Sequence, residues 1–262
     1  MRGLRILARL CRMRKSSETP SAERPARRGP GRPRRAERDG PSTRERILRE
    51  ATELFAARGP EGTSLRDIAA RVGIDVKSLH HHFPAKEALY DACFERVHAA
   101  EREALAPLVA DLREAATMGG DPLATALRAL ADGFVDFLEE HPHTTFLWLR
   151  RWLDPTRGAG LDRAYALPLY GEVERALLEA AQAGTVRETT PHVTVRSLVW
   201  AAHGHVTALA AASPAERERE RYEFRLWVRR FLDALYGPGR AEARPGSGAG
   251  DGTDVIIHRT LE

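Results

Sequence analysis

Cysteine is scarce: Cys11 and Cys93 are the only two in 262 residues, far apart and outside any CxxC or Cys/His framework. That excludes a disulfide scaffold and a thiolate zinc site, and it fits a reducing cytoplasm. Long apolar runs are missing as well. Met1 to Met13 alternates Arg with Leu and Ile and never supplies the uninterrupted stretch that an export signal or a membrane-spanning helix needs. No membrane association is expected, and these residues read as a leader or as sequence upstream of a start at Met13, with a surface-lying amphipathic helix as the alternative. Aromatic residues are sparse at 6%, so any core must be largely aliphatic. Strand-like alternation and internal repeats are also lacking, which points to an all-α fold. No nucleophile, base and orienting group occur as a trio, so neither an enzyme nor a cofactor is expected.

What the chain does have is charge, unevenly spread. Residues 1–41 hold 13 Lys or Arg against four Asp or Glu, a net +9; the whole chain is +4, leaving the remainder near −5. Such segregation suits an anionic polymer as partner for the arm, with an acidic body that stays off it. Ser16 to Pro41 is rich in Pro, Gly, Ser, Arg and Glu and has little to bury, so the arm is expected to be disordered in isolation. Within it lies Arg28-Gly29-Pro30-Gly31-Arg32-Pro33-Arg34-Arg35. This resembles an AT-hook, whose narrow backbone lays arginines, here Arg32, Arg34 and Arg35, along an A·T-rich minor groove. A basic tail that only neutralises phosphates is the equal alternative.

Three short helical patterns follow. Ser42-Thr43-Arg44-Glu45 has capping-box form, and Ile47, Leu48, Ala51, Leu54 and Phe55 then make one apolar stripe, stopped by Gly59. Thr63-Ser64 offers a cap for Leu65 to Val72, and Gly73 supplies the permissive residue of a tight turn between helices. Asp75 can cap Val76 to His82, with Leu79 and Phe83 facing inward and Lys77, Ser78, His81 and His82 free to face out. This is the shape of a helix-turn-helix. Its outward groups suit phosphate oxygens and base edges. Consecutive histidines on a helix point about 100° apart and cannot converge on one ion. Pro84-Ala85-Lys86-Glu87 then starts a further helix.

Thr43-Arg-Glu-Arg-Ile-Leu, Thr63-Ser-Leu-Arg-Asp-Ile-Ala, Val72-Gly-Ile and Ser78-Leu-His-His-His-Phe-Pro-Ala-Lys-Glu-Ala-Leu-Tyr together resemble the DNA-binding domain of the tetracycline-repressor (TetR) family. The resemblance implies backbone contacts from Thr43, Thr63, Ser64, His80, His82 and Lys86, and base contacts from Val76, Lys77, Ser78 and His81. His80 departs from the family, which usually has an aromatic residue, most often tyrosine, at this position.

From Val97 to Tyr236 the pattern is helical throughout, with breaks at Gly119-Gly120, Asp154-Pro155 and Gly184. The expected division is a basic arm over 1–41, a helix-turn-helix domain over 42–94, an all-helical effector-binding and dimerisation domain over 95–236, and a flexible tail over 237–262. By its place in the chain the long helical region resembles the family's effector and dimerisation domain. The last two helices carry apolar stripes, Leu198, Ala201, Ala202, His205 and Leu209, then Phe224, Trp227, Val228, Phe231, Leu232 and Leu235. These either pair with a second subunit or pack within one. Aromatics and histidines in the middle are candidate effector contacts: Phe137, His143, Phe146, Trp148, Trp152, Tyr165 and Tyr170.

The expected function is a cytoplasmic, homodimeric transcription regulator that binds double-stranded operator DNA and, as a repressor, is released by a small-molecule effector. Two rivals compete: a helical metal protein or enzyme using His141/His143 and His203/His205, and a nonspecific DNA-binding protein relying on the arm. Deleting residues 1–41 should weaken DNA binding yet keep site preference in competition assays, whereas Lys77→Ala or His81→Ala should erode discrimination between sites.

Overall fold

The computed structural model describes residues 41–153, 159–184, 186 and 190–237, and their regular structure is entirely helical. Helix α1 (Thr43–Arg58) begins where the Ser42 hydroxyl accepts the Glu45 N–H at 3.1 Å. The reciprocal half of the expected capping box does not form. Glu45 instead pairs with Arg96 at 2.5 Å, tying α1 to the fourth helix. Helix α2 (Leu65–Val72) has both halves of its box, between Ser64 and Asp67, and ends at Gly73, whose φ of 79° is left-handed. Helix α3 (Val76–His82) starts at Asp75, which accepts the Ser78 N–H at 2.6 Å. The three-helix unit expected from the caps is thus present, closed over Ile47, Phe55, Ile68, Leu79 and Phe94.

Helix α4 (Lys86–Met118) runs unbroken for 33 residues, so the expected domain boundary after residue 94 falls in a helix interior. Packing does not divide there either. Phe55, Tyr90, Phe94 and Trp148 form a chain of edge-on ring contacts at 5.1, 5.1 and 4.8 Å. The core of the three-helix head therefore extends into α6 (Pro142–Trp152), reached through α5 (Gly120–Glu140).

The body is completed by α7 (Ala159–Leu161), a π-helical turn (Asp162–Ala166), α8 (Leu167–Gln182), α9 (Pro191–Ala211) and α10 (Pro214–Tyr236). The π turn stands within the helical run that the sequence pattern leaves between the breaks at Asp154-Pro155 and Gly184. Prolines sit in the first turns of α6, α8, α9 and α10, where a missing N–H costs nothing. Leu105, Leu112, Leu123, Leu177, Val228 and Leu232 belong to a second core shared by α4, α5, α8, α9 and α10. Across α5 and α10 runs a ladder of ion pairs: Arg225 to Asp136 at 2.7 Å, Arg229 to Asp132 at 3.0 Å and Arg221 to Glu139 at 2.5 Å. At such exposure each adds under about 1 kcal/mol, and their service is to register. None of the helices among the described residues is long and apolar enough to cross a membrane.

Leu79 is fully buried, and Leu79→Ala should lower stability by about 3 kcal/mol in urea titrations and release α3 from the head. Two enclosed groups set the pH response. Burial pushes the Glu101 carboxyl up to about 7 and drives the His203 imidazole down to about 3. In the folded protein His203 is therefore neutral near neutrality, while Glu101 gives up its proton only around pH 7. The unfolded chain ionises Glu101 above its ordinary 4.5, so stability is lost as pH rises from there through 7; it protonates His203 below 6.5, so stability is also lost as pH falls from there toward 3. Glu101→Gln should accordingly exceed the parent protein in stability at about pH 8 by on the order of 2 kcal/mol, with the gap closing below the ordinary carboxylate value, in urea titrations across pH.

Candidate DNA-reading face and effector cavity

Helix α3 buries Leu79 and presents Lys77, Ser78, His80 and His81 to solvent, with Val76 and His82 half-buried. Val76 packs against the head core, so it offers an edge rather than a whole side chain. The His81 and His82 rings meet edge-on at 5.8 Å and point to different places. His80 Nδ1 lies 3.3 Å from the Pro84 carbonyl. A carbonyl only accepts, so Nδ1 carries the hydrogen. The other ring nitrogen can then donate to a phosphate only when the imidazole holds a second proton.

Of the expected backbone contacts, Ser64 is exposed, and Thr43 and Lys86 are half-buried. Lys86 Nζ donates to the Pro60 carbonyl at 2.9 Å, so its ammonium is fixed beside the α1–α2 turn. Thr63 requires a correction. Its side chain is 2% exposed, and its hydroxyl lies 2.9 Å from the Gly59 carbonyl and 3.3 Å from that of Leu54. It closes the turn between α1 and α2 from inside and cannot reach a phosphate. Arg32, Arg34 and Arg35 lie outside the described residues. Arg44, which the sequence pattern did not single out, places its guanidinium 5.1 Å over the Phe83 ring at the edge of this face.

A second site lies in the body. An apolar cavity of about 90 Å³ opens among α4, α5, α8, α9 and α10. Of the seven candidate effector residues, Tyr170 alone lines it. The other six are corrected by the packing. Trp148 is 1% exposed in the head core; His143 is half-buried, its imidazole lowered by burial, with Glu53 opposing and Arg71 reinforcing that shift. Phe137 is buried in a third cluster and stacks on His141 at 4.7 Å. Phe146 is buried, Tyr165 lies 5.2 Å from the His98 ring, and Trp152 stacks on Trp148. Of these, Trp148, Trp152 and Tyr165 pack in or against the head core. The cavity wall is aliphatic, supplemented by Phe134 and Phe224, a pattern that in a sequence looks like any core.

The stripes on the last two helices divide between the cavity wall and the surface. Leu198, Ala202, Phe224, Val228 and Leu232 line the cavity, while Trp227, 46% exposed, stacks outward on Phe231 at 5.5 Å, and Trp200 on α9 is equally exposed. The paired histidines separate. His141 Nδ1 meets the Phe137 carbonyl at 3.0 Å, His203 meets the Thr145 hydroxyl at 3.0 Å, and His205 sits between Glu139 at 3.1 Å and Glu220 at 3.4 Å, stacked on Phe224. Among the described residues no three potential ligand side chains gather around one point.

Between the two sites runs α6. Arg150 Nε donates to the Ala56 carbonyl at 2.7 Å and Nη2 to the Ala57 carbonyl at 2.6 Å. It thereby satisfies the orphan end of α1. In the sequence Arg150-Arg151 reads as solvated charge, and nothing there signals this clasp.

Residues 47–93 match the family described as bacterial regulatory proteins, tetR family. An HTH-type transcriptional repressor of Mycobacterium tuberculosis, Rv3405c, is 38% identical over 129 residues, spanning 47% of this chain and 67% of that protein. The biofilm operon icaADBC negative regulator IcaR of Staphylococcus aureus is 38% identical over 56 residues, 20% of this chain and 30% of its own. Among solved structures, a TetR-family regulator from Shewanella sp. PV-4 superposes with a TM-score of 0.58 at 18% identity, over 74% of this chain and all but 2% of that one (98% covered). AibR in complex with isovaleryl coenzyme A and operator DNA gives 0.56 at 20% identity, over 76% of this chain and 100% of that one. The match lies where the caps, the buried Leu79 and the outward polar face of α3 had already placed a helix-turn-helix, and the chain belongs to the tetR family of DNA-binding transcriptional regulators.

Proposed function

We propose that the protein is a homodimeric, cytoplasmic repressor that leaves its operator when a small molecule occupies the cavity of the body. The observation that carries this reading is the last turn of α6. There Trp152 packs against both cores, including the one that holds Tyr170 of the cavity wall, and Arg150, two residues earlier, grips α1 of the head. A molecule that wedges α8 or α9 apart would move that helix and with it the direction of α3. The effect is a shift between two head spacings, with only one matching a two-fold operator. Repression is supported by the relatives, one called a repressor and the other a negative regulator. Response to a ligand is supported by AibR, which holds isovaleryl coenzyme A and operator DNA.

In this reading Lys77, Ser78, His81 and the edge of Val76 read bases. Thr43, Ser64, His80, His82 and Lys86 contact the backbone, and Arg32, Arg34 and Arg35 add affinity from the arm. The exposed Trp200 and the Trp227–Phe231 stack support a face covered by a second subunit. The protein acts by binding and not as an enzyme: of the paired histidines, His203 is engaged with Thr145 and His205 with Glu139 and Glu220.

A gel-shift against DNA flanking the coding region should show a dimer-sized complex that weakens steeply with salt. No retardation at low salt would overturn the reading. Arg150→Met should lower affinity for a complete two-fold site about tenfold, the equivalent of one charged hydrogen bond, while leaving affinity for a single half-site unchanged. Equal loss on both would mean that Arg150 supports α3 itself rather than head spacing.

A further inference from the structure

We infer that the cavity selects an uncharged aliphatic molecule, such as a medium-chain alcohol or its ester, and excludes free carboxylates of the same length. The inference rests on the proposed role of the cavity as the effector site and specifies what that site takes.

The wall carries no acid, amine, guanidinium or imidazole among the described residues; its polar groups are the hydroxyls of Tyr170, Thr194 and Tyr236. An anion enclosed there would lose its water without gaining a counter-charge, which is the costliest way to bury a ligand. The nearest charges make matters worse for it. Glu101 lies one helical turn before Leu105 on α4, on the stripe that continues into the wall through Leu105 and Val109. It is 3% exposed. Tyr170, at that end of the wall, has its phenol pushed well above its ordinary value by burial first, then by the charges of Glu101 and Asp162. Arg151 does not relieve this, being spent on Asp162 at 2.5 Å. The polar end of the cavity is thus already biased against negative charge, yet it can meet a ligand hydroxyl with acceptors. The rest of the wall rewards methylenes alone.

The test uses the full-length protein with 1-octanol, 1-decanol and decanoate at about pH 8, where a free carboxylic acid is ionised, read by calorimetry and by the shift in thermal midpoint. The expected result is that decanol binds at least tenfold more tightly than decanoate. Each methylene between octanol and decanol should tighten binding about threefold to fourfold, as transfer of a CH₂ from water requires. Ala131→Leu and Ala202→Leu, at two separate points on the wall, should each weaken decanol at least tenfold, so that one folded variant suffices. Decanoate binding as well as decanol would overturn the selectivity while leaving the cavity as a site. No decanol binding, or binding indifferent to chain length and to both leucines, would overturn the inference altogether. Operator release is read separately: decanol that binds as expected but leaves the operator complex intact would sink the proposed effector response and spare the ligand class.

Discussion

Seven residues are too few to remain helical in water on their own, because a first turn fixes many dihedral angles for a single hydrogen bond. The reading helix α3 therefore exists only while Asp75 caps it and Leu79 is held in the head core. That core does not stop at the head. Through Phe55, Tyr90, Phe94 and Trp148 it continues into α6, and Arg150 adds a polar grip on the last carbonyls of α1. The direction in which Lys77 and His81 point is consequently fixed by packing some distance away.

The same arrangement links the body to the head. Close-packed ring contacts deform little, so a displacement of α6 would be passed on rather than absorbed. The aliphatic cavity is walled in part by Tyr170, which packs with Trp152 against the core of the body. Charge is arranged around this machinery without running through it. The ion pairs between α5 and α10 lie toward solvent, whereas Glu101 and His203 are enclosed, where burial disfavours their charged forms. Stability is thus confined between acid and alkaline limits set by two buried groups.

Much of the head was legible in the chain because its signals are local. Ser42, Ser64 and Asp75 cap from the residue adjoining each helix, Gly59 and Gly73 provide positive φ, and the apolar stripes repeat within a few turns. The cavity was not legible, since aromatic content pointed to residues such as Trp148, which belongs to the head core, while the cavity wall is made mainly of leucines and valines indistinguishable in sequence from core. Thr63 misled for a related reason: a threonine before a helix can face out or close a turn, and only its neighbours decide which.

The sequence by itself determined the all-helical class, the three-helix head, the polar outer face of α3 and the separation of a basic arm from an acidic body, since each depends on residues within a turn or two of one another. Tertiary structure alone decided that Arg150 clasps α1, that Glu45 pairs with Arg96, that His205 falls between Glu139 and Glu220, and that the cavity is uncharged. Those contacts join residues at least 15 positions apart, and their partners are chosen by how helices cross, which no local pattern encodes.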